Sequence, residues 1–304
     1  MRYTLKQLAV FEAVASYESV SMAAKKLALT QSAASMALNQ LEKLLGEPLF
    51  DRNGKRMSLT PWGQWLRPRA KKLLFDAQQI ELGFTGQQLI SGELALGASQ
   101  TSAEHLVPHL ISKIDSDFPE LRINVEVENT ENVIQGVLAH DYQLGVIEGR
   151  CDDARVHQEV WVHDQLVVVA ALNHPYAKYD RVSLAQLEQA KWVLREPGAG
   201  TRRIFNSAIH GLIDNLDVWR EYEHVPILKN MVVNGAYLSC LPYLDVVKAI
   251  ERKKLVALNV PELNMARTLS FIWRKDAGEN SLRECILSEA KWLAKRGFNG
   301  LMPK

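Results

Sequence analysis

Two stretches of this chain carry side chains whose types and spacing suit the capture of phosphate or carboxylate oxygens. The first begins Thr30-Gln31-Ser32-Ala33-Ala34-Ser35-Met36 and continues to Asn39, with Arg52, Lys55 and Arg56 not far behind. Wound as a helix at about 100° per residue, Ser32, Ser35, Met36, Asn39 and Lys43 share one side. Ala34, Leu38, Leu41 and Leu45 share the other. A small polar face near a helix N-terminus fits a DNA major groove. There, free N–H groups meet phosphates, an Asn can pair with an adenine edge and a Met can touch a thymine methyl. A solvated amphipathic helix has the same pattern, so the flanking elements must decide.

The second stretch is split into three parts: Ser99-Gln100-Thr101-Ser102, Asn129-Thr130, and Arg195-Glu196-Pro197-Gly198-Ala199-Gly200-Thr201-Arg202. Each part follows a strand-like run and opens a helix-like one. Hydroxyls of Ser99, Thr101, Ser102, Thr130 and Thr201, the Asn129 amide, free N–H groups and the Arg202 guanidinium would suit a small oxyanion or carboxylate. The glycines would let the backbone come close. Plain helix capping is the alternative reading.

Other chemistry is poorly represented. His105 and His109 stand four apart, as a metal pair would, but Pro108 lies between them and no third ligand is near in sequence. There is no Gly-x-Ser-x-Gly elbow, P-loop or Cys-x-x-Cys, so neither an enzyme nor a bound cofactor or metal is expected. Cys151, Cys240 and Cys285 are three and widely spaced, which argues against a disulfide framework and for a reducing, cytoplasmic setting. No apolar run reaches the roughly 18 residues of a membrane span.

The elements around the first stretch favour DNA. Thr4-Leu5-Lys6-Gln7 is a capping box, and Leu8, Phe11 and Ala15 follow at helical spacing. Ser19 or Ser21 can cap a short helix over Met22–Leu27, whose Ala23-Ala24 pair permits a close crossing. Thr30 caps the third helix and Gly46 ends it. Asn53-Gly54 ahead of a basic strand signals a hairpin, hence a wing whose Arg52, Lys55 and Arg56 reach phosphates. Net charge is +1 overall, yet residues 1–72 carry +7 and the rest −6. A basic head on an acidic body points to a polyanionic partner for the head alone.

Thr60-Pro61 starts a long helix. Leu66, Ala70, Leu73, Ala77, Ile80 and Phe84 form a seam at alternating spacings of four and three. Continued to Ile90 the helix would span roughly 45 Å, and a second copy of the chain would cover its seam. Packing of the seam on the chain's own body is the alternative. Beyond it, Glu93–Ala98, Ile123-Asn124-Val125-Glu126-Val127 and Leu144–Ile147 read as strands of a βαβ unit. Gln165–Ala170 and Trp192–Leu194 begin a second unit, and near Leu269–Trp273 the chain returns to the first. The expected class is α plus α/β. It divides into a winged helix-turn-helix (1–60, motif about 20–39), a linker helix (61–90) and a two-lobed body with a mostly parallel sheet (91–304). Lobe I would hold 91–163 and 267–304, and lobe II 164–266.

With these residues in place, the head resembles the LysR-type transcriptional regulators. The resemblance rests on Leu8, Phe11, Ala15, Ser19, Ala23-Ala24, Leu27, Gln31, Ser35, Leu41-Glu42, Leu45-Gly46, Leu49-Phe50, Arg52, Leu59-Thr60 and Gly63, all in register. It implies that Gln31, Ser32 and Ser35 contact promoter DNA and that Arg52 holds its backbone. Ser32 stands where the family usually has proline, and Met36 where many members have a longer polar residue. The body resembles the family's periplasmic-binding-protein-like effector domain, with 195–202 like its Glu-Pro-Gly-Ser-Gly-Thr-Arg turn. His140-Asp141-Tyr142-Gln143 departs from the usual Gly-x-x-Asp. Lys229–Gly235 with Ser239–Pro242 is similar to the branch of sulfur- and carbon-assimilation regulators, which implies a sulfite- or sulfate-like effector. The resemblance further implies pairing through the linker helix, a dimer of dimers, and control of DNA binding by a small effector. A redox-responsive regulator is the alternative, although the cysteine spacing does not match that of peroxide-sensing relatives.

Overall fold

The computed structural model describes residues 3–53, 56–84 and 90–296. They form two compact units. The first holds everything through the long helix together with Ala139–Asp141, and the second holds the remainder.

In the first unit, α1 (Leu5–Tyr17) opens with the expected capping box: Gln7 N donates to Thr4 Oγ1 at 3.2 Å and Thr4 N to Gln7 Oε1 at 2.8 Å. Ser19, rather than Ser21, caps α2 (Val20–Lys26), and Thr30 caps α3 (Gln31–Leu45) by accepting from Ala33 N. Ala23 and Ala24 are buried where the helices cross, and Leu8, Phe11, Val14, Leu38 and Leu41 fill the core between them. Leu45 does not join them. It stands exposed in the last turn, because Gly46 turns the chain away in a left-handed conformation (φ 84°). The Glu42 carboxylate accepts from Leu49 N (2.7 Å) and Phe50 N (3.3 Å), which ties α3 to the hairpin of β1 (Phe50–Asn53) and β2 (Arg56–Leu59).

Helix α4 (Pro61–Phe84) is capped by the buried Thr60, whose hydroxyl accepts from Gly63 N and donates to Pro48 O. Gly63 must be glycine: a Cβ there would lie 2.2 Å from Leu49 O. The expected seam divides. Leu66 and Ala70 pack into the head's own core, together with Leu74. Leu73 and Ile80 are exposed and fall instead on a stripe with the exposed Trp62 and Trp65. The sequence pattern mixed two faces, one serving the head and one left open.

The second unit begins β3 (Gly92–Ser99), α5 (Gln100–His105), α6 (Val107–Asp117), β4 (Leu121–Glu128), α7 (Thr130–Leu138) and β5 (Leu144–Glu148). After the long β6 (Val156–Ala171) come α8 (Leu184–Gln189), β7 (Lys191–Arg195), α9 (Gly200–Ile209), β8 (Asp217–Tyr222), α10 (Val225–Asn234) and β9 (Tyr237–Pro242). Then follow α11 (Tyr243–Glu251), β10 (Leu255–Leu258), β11 (Ala266–Arg274) and α12 (Ser281–Lys295). The sheet runs β4-β3-β5-β11-β6-β9-β7-β8, with β10 also on β6. It is mixed rather than mostly parallel. Each lobe has a parallel βαβ core (β3, β4, β5 and β7, β8, β9), but β6, β10 and β11 pair antiparallel. Separate apolar cores fill lobe I around Leu96, Leu110, Phe271 and Ile286, and lobe II around Trp192, Phe205 and Leu238. The lobes are joined where β6 and β11 run side by side, with Asp164 opposite Arg267.

Candidate functional site

On the head, α3 presents Gln31, Ser32, Met36 and Asn39 to solvent, and Ser35 is half-buried beside them. Met36 is 67% exposed, too much for a core side chain. The Ser32 and Thr30 hydroxyls lie 3.1 Å apart, so Ser32 shares in the cap that a proline would otherwise stiffen. Arg52 and Arg56 lie on the two strands of the hairpin, Arg52 opposite Met57 and Asn53 opposite Arg56. Lys55 lies outside the described residues.

In the body, strand ends and helix starts bring the second stretch to the contact between lobes. Thr101, in the first turn of α5, donates to Asp245 Oδ2 on α11 at 3.1 Å. Thr201, in the first turn of α9, donates to Glu148 Oε2 at the end of β5 at 2.9 Å. Each bond crosses from one lobe to the other, in opposite directions. Ser99 and Ser102 hydroxyls are 3.0 Å apart behind Thr101, and the buried Thr130 hydroxyl accepts from Glu148 N. The close approach that glycine permits is made here by protein: a Cβ on Gly200 would lie 2.7 Å from both Glu148 O and Thr130 Oγ1.

Four charged groups at this junction were missed in the sequence. Arg267, with a fully buried side chain, donates through Nη1 to Glu148 Oε2 (2.7 Å) and through Nε to Asp164 Oδ2 (2.8 Å). Asp245 is the fourth, buried to 0% side-chain exposure. Burial opposes ionisation of Glu148, yet the Arg267 and Arg195 charges and the Thr201 and Thr101 hydroxyls hold its carboxyl down at about 2. Asp164 goes the other way, because burial outweighs the pull of Arg267 and the nearby Asp245 adds to the rise. For Glu148 the usable sequence signal was a lone charge at the end of an otherwise apolar strand, which must find a partner if it faces inward.

Arg202 does not reach this junction. Its guanidinium is occupied by Glu221 (2.7 Å), Arg195 O (2.8 Å) and Asn206 Oδ1 (3.1 Å). It lines an adjoining groove of about 590 Å³ between α7 and α9, with Arg203, His210 and Glu131. Asn129 caps α7 by accepting from Asn132 N and sits against Gly198 at the groove's edge. Asp141 is exposed in the turn before β5. Gln143 is the residue fixed there, exchanging hydrogen bonds with both backbone groups of Ala95.

The cysteines are all free. Burial pushes the Cys240 thiol well above its ordinary range and the Cys285 thiol up to about 11. Thiols shifted in this direction hold little reactive thiolate at neutral pH. Among the described residues no helix is long and apolar enough to cross a membrane.

The geometry agrees with what comparison shows. Residues 5–64 match the bacterial regulatory helix-turn-helix protein family, lysR type, and residues 87–290 match the LysR substrate binding domain. The uncharacterized HTH-type transcriptional regulator YeiE of Escherichia coli K12 is 37% identical over 274 residues, covering 90% of this chain and 91% of its own. The HTH-type transcriptional regulator CysL of Bacillus subtilis is 29% identical over 266 residues, covering 87% and 89%. A full-length OxyR variant from Pseudomonas aeruginosa shares the fold with a TM-score of 0.77 at 21% identity, covering 97% and 95%. A DNA-reading head and a two-lobed effector domain, each matched by its own family, make this chain a member of the LysR family of transcriptional regulators.

Proposed function

We propose that this regulator responds to a small oxyanion or carboxylate bound where its lobes meet, and that the response alters how paired heads engage promoter DNA. The observation that carries the reading is the reciprocal pair of cross-lobe hydroxyl bonds, Thr101 to Asp245 and Thr201 to Glu148. A ligand accepting from Thr101, Thr201 or the helix-start N–H groups would exchange these bonds for its own and so change the relation of the lobes. Ser99, Ser102 and Thr130 lie within the same polar contact, and Asn129 and Arg202 stand at the edge of the adjoining groove. A cytoplasmic setting suits such a protein.

Thermal unfolding of the full chain against sulfite, sulfate and small carboxylates tests this. A ligand at 100 times its Kd stabilises by about 2.7 kcal/mol, so at least one anion should raise the midpoint. Thr101→Val and Thr201→Val should remove that rise. If Arg202→Ala alone removes it, the ligand sits in the α7–α9 groove instead. The reading fails if no anion shifts the wild type, or if all three variants keep the shift.

For DNA, the exposed face of α3 is proposed to enter the major groove, with Arg52, Lys55 and Arg56 of the wing along the phosphates. Asn39→Ala and Gln31→Ala should each weaken binding to DNA upstream of the chain's own gene by about 10-fold or more, a loss of about 1–3 kcal/mol per base contact. The slope of affinity against salt should change little for these variants, because the phosphate contacts remain. An unchanged affinity for both would move the reading face elsewhere. We further propose that the open stripe of Trp62, Trp65, Leu73 and Ile80 on α4 meets the same stripe of a second copy, with such dimers pairing again. Burial of two exposed tryptophans on one helix face supports pairing there.

A further inference from the structure

The polar contact between lobes has a corner that hydroxyls and anions do not account for. Glu104 and His105 close α5 in lobe I, and Asp245 opens α11 in lobe II. His105 Nε2 lies 2.6 Å from Asp245 Oδ1 and 4.0 Å from Glu104 Oε1, and the three ligating atoms all fall within 4.8 Å of one another. We propose that Glu104, His105 and Asp245 bind a divalent transition-metal ion that clasps the two lobes together.

Geometry permits it with small movements. Ligand atoms about 2.0–2.2 Å from a tetrahedral Zn2+ are about 3.3 Å apart. The His105–Asp245 pair would open, and the His105–Glu104 pair close, by less than about 1 Å each, and the Glu104–Asp245 pair, within 4.8 Å, would close by up to about 1.5 Å. One imidazole and two carboxylates suit Zn2+, Co2+, Mn2+ or Fe2+ rather than Ca2+. Three protein ligands leave a position open, as in exchangeable rather than closed structural sites. Access follows a gradient of side-chain exposure, from Glu104 (41%) through His105 (14%) to Asp245 (0%), so an ion can enter from solvent and end against a buried carboxylate.

Charge points the same way, independently of spacing. The junction buries three carboxylates, of Glu148, Asp164 and Asp245, around the buried guanidinium of Arg267, with the buried Arg195 charge acting on Glu148. Arg267 is shared between Glu148 and Asp164. The side-chain partners of Asp245 are the neutral Thr101 hydroxyl and the His105 imidazole, and the nearby Lys229 ammonium is directed at its backbone oxygen (3.1 Å). The Arg267 charge also acts on Asp245, and a metal ion at this point would add a cation directly at a carboxylate that is fully buried. Its ligands come from both lobes, so the ion binds only when they are together and favours that arrangement by mass action.

The proposed metal site shares Asp245 with the Thr101 bond of the anion reading, and its test uses metal alone, so that the two fail separately. The full chain, freed of metal with EDTA, would be titrated with Co2+, read by its visible absorption, and with Zn2+, read by equilibrium dialysis. One ion per chain is expected, with a rise in the thermal midpoint. His105→Gln should abolish the Co2+ band and the thermal rise, and Glu104→Gln should weaken uptake about tenfold or more. Asp245→Asn should match His105→Gln, and if the Asp245 variant fails to fold, the outcome at the half-buried His105 decides. His109→Asn, outside the cluster, should bind like the wild type. The proposal is overturned if the wild type takes up neither ion in the micromolar range, or if His105→Gln keeps its uptake.

Discussion

Arg267→Met is expected to cost the two-lobed unit about 3–5 kcal/mol at neutral pH, as breaking a buried ion pair does when the remaining charge is left behind. Here two carboxylates are left, Glu148 and Asp164, both at 2% side-chain exposure or less. The sign of the pH dependence makes the test specific. In the wild type Glu148 titrates at about 2, below its ordinary 4.5. Its stabilising contribution is therefore present above about 4.5 and lost as pH falls toward 2. Asp164, raised by burial, already works in the opposite sense. Without the guanidinium, burial pushes both carboxyls up, so the variant should recover stability as they take up protons. Urea denaturation at about pH 7.5 and about pH 5 should show the gap between wild type and variant narrowing toward acid. A gap that is constant or widens would mean that Arg267 is not what keeps these groups charged.

The second large effect is expected at Gly200. Alanine there places a Cβ 2.7 Å from the backbone oxygen of Glu148, and backbone cannot swing aside as a long side chain can. Gly200→Ala should lower the stability of the body by about 1–3 kcal/mol and move Thr201 off Glu148. Any thermal response to anions should fall with it, whereas DNA binding by the head should persist. A variant with a wild-type midpoint and a full anion response would show that the lobes already have room between them.

Much of the head was legible because its elements are short, local and well signalled. Caps at Thr4, Ser19 and Thr30, the Ala23-Ala24 crossing and the hairpin after Phe50 all follow from residues a few positions apart. Leu45 and the seam of α4 misled for one reason: apolar spacing shows that a face is apolar, not what covers it. In the body the βαβ halves were readable, but β6 was seen only from Gln165. Its first half breaks the apolar pattern with the polar runs His157-Gln158-Glu159 and His163-Asp164-Gln165, although a turn at Ala154-Arg155 precedes it. The junction was the least legible part. Glu148, Asp164, Asp245 and Arg267 are up to 144 residues from their partners, as between Asp245 and Thr101, and distance along the chain hides such pairing. Thr101 and Thr201 were found because helix starts announce themselves, but the groups they bond were not.

The doubled crossing between lobes has a mechanical consequence. β6 runs unbroken for 16 residues from one lobe into the other, and β11 stays hydrogen-bonded to it from Val156 to Gln165. Two strands laced together cannot fold like a door on a pin. They behave as a leaf spring, stiff to bending out of plane and compliant chiefly in twist, with the Asp164–Arg267 rung clamped near one end and the bulge at Leu269/Ser270, near the middle, as its softest point. A ligand bound at the junction, as proposed, would thus be read out as a small rotation of one lobe about the strand axis. A glycine introduced near the bulge would change the torque needed for that rotation without touching any residue of the proposed effector site.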